Sequence, residues 1–314
     1  FNCRLTVAIP ITLLVSIGLL LNIVLWRIIS IQKDLIESSF KRHVISLIAA
    51  NIGTLEKRYP WKFALCLGFN ITLVCTTIPI SFFHVEYPDW LLITLSTPNS
   101  FFYQVILYAN FAIAFDRFLM FVLQKIHHCL TGIKHYILII LPWLVAGWNV
   151  GHSTFIGCYK RFNPFLLRFQ YGCSNCPFFL DLNTYLAIYL PVVIFVLYLS
   201  IFASIVRKKF SLGSEILLQN RDFTFVLQFF IITMIQLAGN LLFYVDFSNE
   251  KIVESLIRLS ASTLTTYSNP IVMFAFQQRI RRSFLQWGKR FWLFDKDLIG
   301  LRPTRLGRKS TTNV

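Results

Sequence analysis

Long apolar runs, separated by shorter polar segments, dominate this chain. A helix needs about 20 apolar residues to cross the hydrocarbon core of a bilayer. The runs that meet this length are Val7–Ile29, Phe63–Phe83, Phe101–Leu123, Tyr136–Gly157, Leu182–Val206, Phe223–Phe247 and Glu254–Phe276. The pattern therefore predicts an all-α membrane protein, a bundle of seven transmembrane helices.

Composition agrees with the apolar pattern. Of the 314 residues, 56% are hydrophobic and 14% are charged, whereas soluble domains carry about 25% charged residues. The net charge of +16 does not indicate nucleic-acid binding, because the charges lie at the ends of the apolar runs and form no continuous basic face.

The positions of Lys and Arg predict how the bundle is oriented, since cytoplasmic loops carry an excess of these residues. With the amino end outside, 24 of the 30 Lys and Arg fall on the inner side. We therefore expect a multi-pass protein of the cell membrane with an extracellular amino terminus (residues 1–6). The helical domain covers residues 7–295, and a disordered cytoplasmic tail covers residues 296–314.

The connection Ser30–Lys62 fits the scheme poorly. It contains the apolar stretch His43–Leu55, which is too short to span the membrane. An eighth crossing here would also invert every later loop. Two interpretations stay open: an interfacial helix on the inner membrane surface, or a segment inserted by error into the chain.

Residues 276–291 form a short amphipathic pattern after the last run. Phe276, Ile280, Phe284, Trp287 and Phe291 recur at intervals of three or four, with Arg and Lys on the remaining faces. The spacing predicts a helix lying along the cytoplasmic leaflet, where anionic lipid attracts its basic face.

Two motifs place mechanistic residues near the cytoplasmic ends of helices. An Arg near the membrane usually marks function, and Asp116 next to Arg117 can hold or release it as a two-state latch. The alternative is an Arg that merely reaches the interface. Pro270 frees a backbone carbonyl that Asn269 can bridge, which predicts a hinge. Asn22 is predicted to be a buried amide that ties neighbouring helices together.

The order of these motifs resembles that of the rhodopsin-like seven-helix receptors that activate G proteins. Asp116–Phe118 is similar to their Asp/Glu-Arg-Tyr motif, Asn269–Met273 to their Asn-Pro-x-x-Tyr motif, and Asn22 to their first-helix Asn. The amphipathic stretch is similar to their eighth helix. Within that group the chain is most similar in style to nematode serpentine chemoreceptors of the Srg superfamily, of the Srv type. The cues are Arg58–Phe63, Phe101–Gln104 and Tyr108–Phe118.

The resemblance implies a receptor domain for chemical sensing, such as olfaction, that works without a cofactor. A small chemical would bind in the outer half of the bundle, and a heterotrimeric G protein would bind a cytoplasmic cleft beside Asp116, Arg117, Asn269 and Pro270. A covalently bound retinal is not expected, because the seventh run contains no Lys.

Several positions depart from the family pattern. Phe118 and Met273 stand where the motifs have Tyr, and the outer end of the third run has no Cys, so the usual disulfide to the second outer loop is in doubt. That loop holds three Cys in an oxidising compartment. Cys158 with Cys173 or Cys176 would close the longer loop, and the alternative is that some or all of them stay free.

Polar residues in the outer halves of the runs are candidate ligand contacts. Ligand sites in helical bundles are mostly apolar cavities with a few polar anchors. Each candidate has an alternative role, because Tyr is common at membrane interfaces and Gln or Asn often links helices. The candidates are Tyr103, Gln104, Tyr108, Tyr185, Tyr189, Gln236, Asn240 and Arg258; Arg258 would suit an anionic ligand group.

Other classes of membrane protein fit less well. A secondary transporter would show repeated halves or paired broken helices, and the sequence shows neither. Insect-type odorant channels have seven helices with the amino end inside, against the charge count. An intramembrane enzyme or a metal site would need clustered His, Asp or Glu within the runs. A ligand-gated channel subunit or a small-molecule transporter remains the alternative to a receptor.

Overall fold

The computed structural model describes residues 2–31, 45–46, 48, 69–83, 85–129, 133–163, 168–171, 176–212, 220–244, 251–277 and 280–285. Within these residues the protein is mostly helical. The helices are α1 (Asn2–Ile31), α2 (Phe69–Phe82), α3 (Asp89–Phe121), α4 (Gln124–Cys129), α5 (Ile133–Phe155), α6 (Pro177–Leu212), α7 (Asn220–Tyr244) and α8 (Lys251–Phe276).

Among the described residues, four helical segments are long and apolar enough to cross a membrane: Ala8–Ile29, Asp89–Phe121, Tyr136–Phe155 and Pro177–Arg207. A shorter apolar helical segment covers Val226–Leu242. Large apolar side chains such as Leu13, Leu144 and Trp148 are exposed on the outside of the bundle. An apolar exterior of this kind suits lipid rather than water, so the chain is a helical membrane protein.

Contacts between neighbouring helices close a ring that includes α3, and α5 packs on α3. Helix α1 packs against α2 and α8, α8 against α7, α7 against α6, and α3 contacts α2, α5 and α6. The helices meet in two apolar clusters. One contains Ile11, Val15 and Ile80 with the first half of α3, and the other contains Leu25, Ile201 and Phe229 with the second half of α3.

Helix α3 begins at Asp89, well before the predicted start at Phe101. Asp89 lies in the first helical turn, where a carboxylate interacts favourably with the helix dipole. The apolar residues that follow continue the helix through Pro98, because packed neighbours make an internal Pro tolerable in a membrane helix.

The stretch between α1 and α2 contributes to the core. Residues 45, 46 and 48 are helical, Ile48 is 1% exposed and Ile45 packs against the same cluster as Leu25. Trp143 Nε1 on α5 donates a hydrogen bond of 2.9 Å to Ser46 Oγ. Ile48 therefore packs inside the bundle. Apart from residues 45, 46 and 48, the stretch His43–Leu55 lies outside the described residues.

A short antiparallel hairpin adds the strand content that the all-α prediction omitted. Strands β1 (Lys160–Asn163) and β2 (Arg168–Tyr171) pair in register, with Phe162 opposite Phe169. Gly157 precedes the hairpin with φ of 87°, a left-handed conformation that Gly adopts without strain. Strand β1 packs on α3, and Phe162 is fully buried there. The hairpin thus covers one end of the bundle, here called the hairpin end.

Candidate functional site

A small polar cavity lies beneath the hairpin. Its volume is about 10 Å³, roughly the space that one water molecule needs. The hairpin contributes Lys160 and Tyr171 to its wall, and Cys158 precedes the hairpin; α3 and α5 supply the rest of the lining, namely Thr97, Ser100, Gln104, Val150, Ser153 and Thr154. The cavity therefore joins three elements that are far apart in sequence.

Lys160 is the cation of this cavity. Its Nζ donates a hydrogen bond of 3.1 Å to Asn99 Oδ1 and lies 5.0 Å from the centre of the Phe169 ring. Burial disfavours the charged ammonium and lowers the pKa of Lys160 from its ordinary value of 10.5 to about 8. The sequence marks Lys160 only as one of the outer charges, because nothing local to it signals that the hairpin folds back on α3.

A chain of hydrogen-bonded amides and one phenol begins and ends at the cavity lining, with Gln104 and Tyr171. Gln104 Nε2 donates to Asn183 Oδ1 (2.9 Å), and Asn149 Nδ2 donates to Gln104 Oε1 (3.0 Å). Asn183 Nδ2 donates in turn to the Tyr171 hydroxyl (2.9 Å). The chain joins α3, α5, α6 and β2, so a ligand that displaces Gln104 would disturb four elements at once.

Three of the predicted ligand residues serve as links between helices. Tyr103 donates to Asn240 Oδ1 (3.1 Å), and Asn240 Nδ2 donates to the Ala187 carbonyl (2.7 Å). Asn110 Nδ2 donates to Gln236 Oε1 (3.0 Å) in a buried pair between α3 and α7. Tyr103, Gln236 and Asn240 thus link helices, and Gln104 is the candidate, among those whose side chains are described, that lines the cavity.

The other predicted ligand residues lie elsewhere. Tyr185 and Tyr189 lie next to each other on α6, with ring centres 5.7 Å apart and the rings tilted by 32°, and more than half of each residue is exposed. Tyr108 packs against the cluster that includes Val105 and Phe102. Arg258 belongs to α8, but its side chain lies outside the described part of the protein.

Cys158 and Cys176 form a disulfide. This is one of the two pairings left open, and it ties the segment after α5 to the start of α6 across the hairpin; Cys173 lies outside the described residues. Spacing could not choose between Cys173 and Cys176, since both close loops of similar length. The bond fixes the base of the hairpin and hence the wall of the cavity.

Asp116 and Arg117 lie at the opposite end of α3, and both are buried, 4% and 8% exposed. Arg117 Nη1 lies 3.7 Å from Met120 Sδ. Tyr198 on α6 lies within electrostatic range of both charges and is 1% exposed. A charged pair kept from solvent differs from an Arg that merely reaches the interface. The sequence pattern does not mark Tyr198 as a site residue, because it lies inside a uniform apolar run.

Asn269 and Pro270 are buried in α8. Neither polar atom of the Asn269 side chain has a hydrogen-bond partner among the described residues. Nearby in sequence, Gln277 Nε2 donates to Gln228 Oε1 (3.3 Å) and joins the end of α8 to α7. Asn22 donates to the Gly18 carbonyl (2.9 Å) within α1, which is a bond inside one helix and not the predicted tie between helices.

Within the described residues, no group of three or more His, Cys, Asp or Glu is placed to hold a metal ion. No protein-family model matches the chain, and no curated protein matches its sequence.

Proposed function

We propose that the chain is a chemosensory receptor of the seven-helix, G-protein-coupled type. A small chemical binds beneath the hairpin, which faces outside, and a G protein binds the Arg117 end, which faces the cytoplasm. The observation that carries this proposal is the burial of Asp116 and Arg117 on the same helix that lines the cavity with Ser100 and Gln104.

A single continuous helix links the two sites. Helix α3 runs from Asp89 to Phe121, so the cavity and the charged pair lie at different heights along one rigid element. One apolar cluster packs around α3 at the height of the cavity, and the other packs around it near the charged pair. A ligand can act on the distant site only if it binds one arrangement of the bundle better than another. Helix α3 is the element through which both sites shift the equilibrium between these arrangements.

Seven crossings follow if α2 belongs to the apolar run Phe63–Phe83, of which Phe69–Phe82 is the described helical part. A run of that length is sufficient to cross the hydrocarbon core. We therefore assign the seven crossings to α1, α2, α3, α5, α6, α7 and α8.

Movement at the Arg117 end would open the coupling cleft. The link between Gln228 and Gln277 holds α7 against the end of α8, and a hydrogen bond of this kind is worth only about 1 kcal/mol net. The unsatisfied amide of Asn269, next to Pro270, gives α8 a place where the backbone can change shape. Release of α7 would expose Arg117 to the G protein.

The test uses the full chain, with tags at both ends, in cells that carry a promiscuous G protein and a calcium reporter. Accessibility of the tags in intact cells checks the orientation. A panel of small odorants is then compared between the wild type, Arg117→Ala and Arg27→Ala. Arg27 is the matched control, because it is an exposed Arg on α1 outside the charged pair.

A response that Arg117→Ala abolishes and Arg27→Ala retains, at equal surface expression, is the expected result. Equal signalling by Arg117→Ala would reject the role of the charged pair. Odorant-evoked currents in cells that lack the G protein would instead assign the chain to ligand-gated channels.

A further inference from the structure

The positive charge of Lys160 has no counter-ion among the described residues. Its contacts are the Asn99 side-chain oxygen at 3.1 Å and the face of the Phe169 ring at 5.0 Å, and both partners are neutral. The ion pair found on the hairpin joins Arg161 to Asp89 at 3.4 Å instead. A half-buried ammonium with neutral partners only is an incomplete site for an anion.

Ser100 supplies a second unmet donor in the same cavity. The residue is 7% exposed, its hydroxyl has no hydrogen-bond partner among the described residues, and it lines the cavity together with Lys160. A buried hydroxyl without a partner is costly, and in most proteins a water or a ligand satisfies it. This hydroxyl therefore points to an occupant of the cavity independently of Lys160.

We propose that the cavity binds the carboxylate group of a small organic monoacid, with Lys160 Nζ and Ser100 Oγ as the hydrogen-bond donors. An ammonium offers three N–H groups and no acceptor, and a carboxylate offers acceptors only. Lys160 gives one N–H to Asn99 and keeps two for the ligand. Hydrogen bonds between ionised partners are roughly twice as strong as neutral ones.

The size and charge of the cavity restrict the class of acid. One cation neutralises one negative charge, so a monocarboxylate fits better than a phosphate or a dicarboxylate. The cavity of about 10 Å³ has the space of roughly one water, so one carboxylate oxygen enters it and the rest of the acid stays outside.

The role of this ligand as an agonist rests on the receptor function proposed above, but its binding does not. Binding is therefore measured without a G protein, on the full chain in lipid nanodiscs. The probes are butanoate, hexanoate and octanoate, each compared with the amide and the alcohol of the same chain length. The variants are Lys160→Met, Lys160→Arg and Ser100→Ala, with Arg161→Gln as the control for a neighbouring exposed cation.

We expect the wild type to bind the carboxylates and to bind the matched amides and alcohols at least about tenfold more weakly, since a charge-assisted pair is lost. Lys160→Met should weaken carboxylate binding at least about tenfold, Lys160→Arg less, and Arg161→Gln not at all. Ser100→Ala removes only an unsatisfied hydroxyl, so this variant should fold normally and bind the carboxylate more weakly than the wild type. It therefore tests the site even if the Lys160 variants do not fold.

Three results would overturn the inference: no carboxylate binding at millimolar concentration, equal binding of amide and carboxylate, or unchanged carboxylate binding by both Lys160→Met and Ser100→Ala. Carboxylate binding without any signalling would remove the receptor function and leave the site intact. Signalling by neutral odorants that depends on Arg117, with no carboxylate binding, would support the receptor function and reject the carboxylate site.

Discussion

The indole Nε1 of Trp143 donates a hydrogen bond of 2.9 Å to Ser46 Oγ and so holds a short helical segment against the middle of α5. Both residues are partly buried, and Trp143 also contacts the rings of Phe101 and Phe102 on α3. The contact joins three elements at one point, which explains why Ile48 lies in the core.

Loss of this hydrogen bond should destabilise the bundle. Ser46→Ala leaves the indole N–H without its partner and is expected to lower the free energy of unfolding by about 1 kcal/mol. The measurement is thermal unfolding in detergent. Ser200→Ala is the control, because Ser200 Oγ is bonded to the Val196 carbonyl of its own helix; equal losses in both variants would contradict the prediction.

Gly18 allows α1 to approach α8 closely. A Cβ at this position would overlap the ring of Tyr267, which is 4% exposed. We expect Gly18→Ala to lower stability by about 1–3 kcal/mol, as overpacking does in other cores. The matched control is Gly151→Ala, since a Cβ at Gly151 meets nothing within 4 Å.

A double variant separates this contact from a general effect on α1. If the overlap is the cause, Gly18→Ala combined with Tyr267→Leu should be more stable than the sum of the single changes predicts. Additive losses in thermal unfolding would mean that the ring of Tyr267 is not what Gly18 avoids.

Removal of the disulfide between Cys158 and Cys176 should destabilise the hairpin end. The two Cys are 18 residues apart, and closing a loop of that length contributes about 3 kcal/mol in the chain-entropy account. Cys158→Ser with Cys176→Ser should lower the unfolding temperature, whereas Cys75→Ser, a change at a free cysteine, should not. Peptide mapping without reductant checks the pairing; a bond from Cys158 to Cys173 would contradict it.

Lys160 should make stability rise with pH in the alkaline range. Its pKa is about 8 in the folded protein against 10.5 ordinarily, so the unfolded chain binds more protons between these values. Stability then increases as pH rises from about 8 to 10.5. The neighbouring Arg161 pairs with Asp89, and Tyr171 lines the cavity together with Lys160.

The difference in unfolding temperature between wild type and Lys160→Met isolates this contribution, because other alkaline titrations occur in both proteins. The unfolding temperature of the wild type should rise relative to that of the Lys160→Met variant as pH rises. Carboxylate binding should show the opposite sign and weaken about tenfold from pH 7 to pH 9, as the ammonium is lost. A difference in unfolding temperature that does not change with pH would show that folding does not shift the pKa of Lys160.

Sequence by itself determined that this is a helical membrane protein. The apolar runs in α1 and α6 can be recognised as membrane helices without knowledge of what packs against them. The reason is that the bilayer requires every backbone polar group to bond within its own helix. Local signals also marked Arg117 and Asn269 as residues to examine, since a charge or an Asn-Pro pair is conspicuous in an apolar run.

Only the tertiary structure decided which residues meet. It joined Lys160 to Ser100 beneath the hairpin, gave Tyr103, Gln236 and Asn240 to contacts between helices, and paired Cys158 with Cys176. It also placed Ile48 in the core, a position that the sequence pattern had not assigned. The physical reason is that helix formation is local, whereas a cavity, an amide pair or a disulfide depends on how separate helices turn their faces toward one another.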